Sequence, residues 1–182
     1  MAHKKKEFDW EKYADRVKLT GELYEHDGMH MKRQAEIAKR CEGKTLDVGA
    51  GDGYLVDMLR RQGIEADGVE ISQTRIDTAK SEYGIDLEQG DIVNLDKIPD
   101  ASYDTVIGSE ILEHLDNSGE GLTELMRVAK KRVIISIPIG EFNDDTHQWL
   151  IDMVLCEKTS ADPKQEGIGD LVLSFTRYEP KK

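Results

Sequence analysis

Three alternating glycines, Gly49-Ala50-Gly51-Asp52-Gly53, lie between the strand-like run Leu46-Asp47-Val48 and the helix-like run Tyr54-Leu55-Val56-Asp57-Met58-Leu59. No other feature constrains the fold of this 182-residue chain as strongly. An apolar strand, a glycine turn and an amphipathic helix in succession form a corner whose helix N-terminus offers unpaired N–H groups to a ligand. Glycine is needed there because a Cβ would block both the sharp turn and the close approach of a ligand to the backbone. Tyr54, Leu55, Met58 and Leu59 recur at helical spacing and give the helix one apolar face. Asp47 stands two residues before the first glycine. A buried carboxylate at that point repels a pyrophosphate and attracts a cationic amino-acid group.

The Gly-x-Gly-x-Gly spacing departs from the Gly-x-Gly-x-x-Gly of dinucleotide-binding dehydrogenases. Together with Asp47 it favours S-adenosylmethionine, whose methionine end carries an ammonium, over NAD. Three later landmarks follow in order. Val69-Glu70-Ile71 ends the next expected strand with an acid 21 residues after Gly49, Gln89-Gly90-Asp91-Ile92 ends the third, and Tyr103 to Leu115 spans a fourth strand and the start of a helix. On these residues the stretch 44–138 resembles the class I, Rossmann-like, S-adenosylmethionine-dependent methyltransferases. The resemblance implies a cofactor site built from Asp47, Gly49, Ala50, Gly51, Gly53, Glu70, Ile71, Asp91, Ile92 and Ser109. In it Glu70 would accept from both ribose hydroxyls, and Asp91 would lie beside the adenine amino group.

Strand and helix signals alternate through the core, the pattern of a parallel sheet. Strands are expected near 44–49, 65–70, 85–90, 103–108 and 132–137, helices near 53–62, 72–83 and 118–130, and closing strands near 150–158 and 170–178. The expected architecture is α/β: a doubly wound, mostly parallel sheet of seven strands or slightly fewer, with an antiparallel last strand and an N-terminal helical cap. Residues 1–8 read as a disordered tail and 9–182 as a single domain, divided into a cap (9–40), a cofactor-binding core (44–138) and an acceptor-side loop with closing strands (139–182).

Charge narrows the partners. The net charge of −12 is uneven: residues 1–45 hold 11 basic against 9 acidic side chains, and the remainder 14 against 28. Nucleic-acid binding needs a basic face that displaces counterions, so a small-molecule acceptor is preferred over RNA. No run is long and apolar enough to span a membrane. Met1-Ala2-His3-Lys4-Lys5-Lys6-Glu7 lacks the apolar segment of a secretion signal. Cys41 and Cys156 have no metal or redox spacing, so a reduced, cytoplasmic chain is expected. Oligomeric state is not legible.

Methyl transfer from a sulfonium requires the protein to align the acceptor and remove its proton. Glu110, Glu113 and His114 follow the fourth strand at i, i+3 and i+4, one face of a helical turn. His114 and Glu113 are the catalytic candidates. With His147 on the following loop, Glu110, Glu113 and His114 could also form a divalent-metal set for Mg²⁺ or Mn²⁺. The Glu-x-x-Glu-His string resembles the metal site of the Hen-type enzymes, which methylate the 3′-terminal RNA ribose, and of the UbiG-type quinone O-methyltransferases. Many class I enzymes carry Glu-His-Leu here without a metal. His30 and Arg33 read as an exposed helix face, with a lid over the cofactor as the alternative. The expected activity is methylation of an oxygen or nitrogen of a small molecule. An RNA 3′ end is the second choice of acceptor, and a non-catalytic S-adenosylmethionine-binding regulatory subunit is the rival from another class.

Overall fold

Apolar residues on both faces of nearly every strand demand helices on both sides of the sheet, and the chain provides them. The computed structural model describes residues 28–138 and 170–176, with side chains over 33–137. In chain order these are α1 (Gly28–Ala38), β1 (Thr45–Val48), α2 (Tyr54–Arg61), β2 (Ala66–Glu70), α3 (Gln73–Tyr83), β3 (Glu88–Gln89), β4 (Tyr103–Ser109), a 3₁₀ turn (Leu112–His114), α4 (Ser118–Val128), β5 (Ala129–Pro138) and β6 (Asp170–Thr176). The described strands form one sheet in the order β3-β2-β1-β4-β5-β6. Neighbours run parallel from β3 through β5, and β6 pairs antiparallel with β5. The chain leaves β1 toward β2 on one side and returns to β4 on the other. This strand-order reversal places the topological switch point between β1 and β4, and open α/β sheets bind ligands at the carboxyl ends of the strands there.

Two buried clusters fill the faces. On one, Leu46, Val48, Val106, Val133 and Ile135 pack against Leu122, Leu125 and Val128 of α4. On the other, Ile107 and Ile134 pack against Ile37 of α1 and Leu55, Val56 and Leu59 of α2. Alternation along β4, and along β5 from Arg132 onward, assigns successive residues to opposite faces.

The structure corrects several expectations. β3 is two residues long, not the full 85–90, because only Glu88 and Gln89 pair with β2 at the sheet edge. α4 ends at Val128 and β5 begins at Ala129 with no connecting turn. The register shifts between the Tyr103–Ala129 and Thr105–Arg132 pairs, so β5 carries one extra residue there. That bulge turns Lys130 and Lys131 both toward solvent, and Lys131 meets Asp104 at 2.9 Å. The expected strand at 150–158, the tail 1–8, Cys156 and the cap residues before 28 lie outside the described residues. No helix among the described residues is long and apolar enough to cross a membrane.

Candidate cofactor and acceptor site

The glycine turn hangs from the end of β2. The N–H groups of Gly49 and Ala50 both donate to the Val69 carbonyl, at 2.8 and 3.0 Å. Gly49, Gly51 and Gly53 adopt φ values of 77°, 56° and 79°, the left-handed region that disfavours a side chain. Space adds to the constraint. A Cβ on Gly49 would lie 2.3 Å from Ile111 Cδ1, and one on Gly53 would lie 2.9 Å from Ala79 Cβ of α3. A Cβ on Gly51 would lie 3.1 Å from Nη1 of Arg75, also on α3. Gly51→Val therefore has to displace a guanidinium as well as strain the turn. We expect calorimetry to show loss of cofactor binding in this variant, with a stability loss of about 1–3 kcal/mol.

Three nearly buried carboxylates surround this turn: Asp47, Asp52 and Glu70 are 3%, 6% and 6% exposed. Glu70 is fixed from two sides, its Oε2 accepting from the Gly51 N–H at 2.8 Å and its Oε1 from the Ser72 N–H at 2.9 Å. A carboxylate has about four acceptor positions, so two remain for hydroxyls. This is the observation that fits a ribose. Asp52 meets Arg75 at 3.5 Å. Burial pushes the Asp52 carboxyl up, the Arg75 charge opposes the rise and the Glu70 charge adds to it. Asp47 rises further, to about 7, mainly through burial and secondarily through the Glu70 charge. A buried acid held near neutrality suits an ammonium ligand, whose pairing would restore its charge.

The remaining cofactor candidates flank this corner. Ala50 and Ile92 are buried, Ile71 is 38% exposed beyond Glu70, and Asp91 is half-buried. Oδ1 of Asp91 accepts from the Val93 N–H at 3.1 Å. Ser109 ends β4 opposite Ser136 of β5, their hydroxyl oxygens 2.8 Å apart. Asp47 lies in register with Ile107. Ser109 and Ser136 lie two residues beyond Ile107 and Ile134, so all three polar groups share the α1-facing side of the sheet. Ser136 was absent from the sequence-based candidates. Its only signal was a hydroxyl interrupting the apolar run Val133 to Ile137.

The acceptor side departs most from expectation. Glu110 has φ 54° and precedes the helical turn, which spans only Leu112–His114. The i, i+3, i+4 face expected from Glu110 onward therefore does not form, because the left-handed residue breaks the helix before it starts. Glu110 instead turns to Arg33 of α1, at 3.8 Å. Arg33 is 4% exposed, which corrects its reading as a solvated helix face. The Glu113 side chain is 3% exposed and lies 4.0 Å from Nε2 of His114, itself 34% exposed. Among the described residues no three His, Cys, Asp or Glu side chains gather to hold a metal, and His147 lies outside them. Glu110, Glu113 and His114 by themselves do not form the expected metal set. Cys41 is half-buried, and burial pushes its thiol up to about 12, consistent with a structural role.

Comparison with known proteins agrees with this geometry. The family described as "Methionine biosynthesis protein MetW" matches residues 32–157. A probable S-adenosylmethionine-dependent methyltransferase of Mycolicibacterium smegmatis is 28% identical over 96 residues, 52% of this chain and 37% of that protein. A ubiquinone biosynthesis O-methyltransferase of Rickettsia conorii is 33% identical over 119 residues, 63% of this chain and 40% of that protein. The chain thus spans well under half the length of both relatives. A TehB-like S-adenosylmethionine-dependent methyltransferase of Corynebacterium glutamicum superposes with a TM-score of 0.64 at 22% identity, covering 92% of this chain and 97% of that one.

Proposed function

The chain belongs to the MetW family and has the Rossmann-like fold of the class I S-adenosylmethionine-dependent methyltransferases, and from that premise we propose that it transfers a methyl group from S-adenosylmethionine to an oxygen or nitrogen of a small-molecule acceptor. The observation that carries this reading is the Glu70 carboxylate, buried and fixed by the Gly51 and Ser72 N–H groups beside a left-handed glycine turn, with the buried Asp47 behind it. S-adenosylmethionine, when bound, supplies the activated methyl group and the leaving group, so no protein nucleophile is needed. Glu70 would hold the ribose, Asp47 would pair with the ammonium, and Asp91 and Ile92 would bound the adenine. Arg33 offers the one guanidinium on α1 that faces Glu110 at the carboxyl end of the sheet. His114, partly exposed and with Nε2 4.0 Å from the Glu113 carboxylate, takes the acceptor's proton. The acidic body favours a small molecule over RNA, although the RNA 3′-terminal ribose remains the alternative acceptor. The same reading makes residues 9–182 one domain, with a sheet of seven strands or slightly fewer and the last strand antiparallel.

Incubation with S-adenosylmethionine and a metabolite extract should yield S-adenosylhomocysteine, and His114→Ala should slow that turnover about 100-fold or more with little change in cofactor affinity. Unchanged turnover would remove His114 from the mechanism. Chelation tests the metal set: turnover abolished while cofactor affinity stands, with matching losses in His114→Ala and His147→Ala, would assign Glu110, Glu113, His114 and His147 as ligands of Mg²⁺ or Mn²⁺. Turnover indifferent to chelator leaves His114 as the base.

A second reading draws on the family's description. S-adenosylmethionine is made from methionine, so a methionine-biosynthesis protein that binds it is placed to sense the end product. Binding without any S-adenosylhomocysteine formation would favour that regulatory role.

A further inference from the structure

The segment between β3 and β4 carries Asp91 and Ile92 and then runs across α4 without regular structure until Tyr103. A segment of this kind has backbone polar groups to satisfy and few internal ways to satisfy them. One side chain on α4 takes two of its carbonyls and one of its carboxylates. Arg127 of α4 donates from Nε to Oε1 of Glu124 at 2.8 Å, from Nη1 to the Ile98 carbonyl at 2.9 Å and to Oδ1 of Asp100 at 2.7 Å, and from Nη2 to the Leu95 carbonyl at 2.9 Å and to Oε2 of Glu124 at 2.8 Å. A guanidinium has five N–H donors, and all five are used. Glu124 Oε2 also accepts from the Leu95 N–H at 2.9 Å, and the Arg127 carbonyl accepts from the Ala101 N–H at 2.9 Å. Ile92, Leu95 and Ile98 are buried in the cluster that includes Leu122, Leu125 and Val128 of α4. A Cβ on Gly121 would lie 3.5 Å from Cδ1 of Ile92.

We propose that Arg127 is a positioning residue for purine recognition: by clamping the 95–101 segment onto α4, it sets where Asp91 and Ile92 meet the adenine edge. The inference rests on the reading of Asp91 and Ile92 as the adenine end of the cofactor site. Arg127 touches neither cofactor nor acceptor in this role. Lysine cannot replace it, because a single ammonium offers three donors from one point where the clamp needs five from a planar fork.

The test compares binding of S-adenosylhomocysteine with that of S-inosylhomocysteine, in which a carbonyl replaces the adenine amino group, using the full chain and calorimetry. The wild type should prefer the adenine compound. In Arg127→Met the preference should shrink about tenfold, the scale of one lost hydrogen bond to a charged group. Arg127→Lys should not restore it. Leu59→Val, a core change on α2 remote from the 95–101 segment, should lower the melting temperature and leave the preference unchanged. If Arg127→Met fails to fold, Glu124→Gln serves in its place and must move the preference the same way. A preference within twofold of wild type in a folded Arg127→Met or Glu124→Gln variant overturns the inference. Equal binding of the two compounds by the wild type overturns it together with the reading of Asp91. Failure of the wild type to bind either compound removes the cofactor reading itself.

Discussion

Glu70→Ala is expected to lose cofactor binding by at least 100-fold and to destabilise the free protein by about 3 kcal/mol, more than loss of a ligand contact alone explains. The carboxylate holds the Gly51 and Ser72 N–H groups, and a hydrogen bond to a charged acceptor contributes about 1.5–3 kcal/mol. Alanine leaves both donors without that acceptor and frees the turn from the β2–α3 corner. The ribose hydroxyls lose their partner in the same step. Glu70→Gln is expected to be no milder, since its amide must turn an N–H toward one of the two backbone donors. Denaturant melts of the free protein and calorimetry with S-adenosylhomocysteine separate the two effects. A variant that loses affinity with full stability would show that the carboxylate does not support the turn.

Asp47→Asn is expected to weaken cofactor binding and yet stabilise the free protein at pH 8. The native carboxyl titrates near 7, raised by burial and by the Glu70 charge, against about 3.9 in an unfolded chain. A raised acid contributes stability that is fully present below the unfolded value and lost as pH rises through the folded one. The free wild type should therefore lose stability between about pH 4 and pH 7, and Asn should flatten that part of the profile, leaving the variant about 1–3 kcal/mol more stable at pH 8. Cofactor affinity runs the other way. An ammonium pairs with the ionised form, so wild-type affinity should fall about tenfold per unit as pH drops below 7, and the Asn variant should show no such slope. Parallel pH profiles for both proteins would remove Asp47 from the ammonium subsite.

The cofactor corner was legible because its determinants are local. Gly49, Gly51 and Gly53 declare a left-handed turn within five residues, and Leu55 and Leu59 declare the buried face of the helix that follows. Strand identity was legible for β1, β2 and β4, whose apolar runs are buried on both faces. The boundary between α4 and β5 was not. It depends on a bulge opposite Tyr103–Thr105, and a bulge is a property of the pairing, not of either strand.

What the sequence determined by itself is the parallel α/β layout, the glycine turn and the order of the acids along the strand ends, because periodicity and backbone conformation act over a few residues. Only the tertiary structure decided what those acids face. Arg75, 24 positions after Gly51, comes to Asp52 through the packing of α3 on the turn. Arg33, which its helix pattern placed in solvent, is buried against Glu110. Glu110 leaves the helical face it was expected to share with Glu113 and His114 because its backbone turns left-handed at the end of β4. Ser136 gains a partner from β4 through strand register. Side-chain partners that lie tens of residues apart are chosen by chain closure and burial, and neither leaves a periodic mark in the sequence.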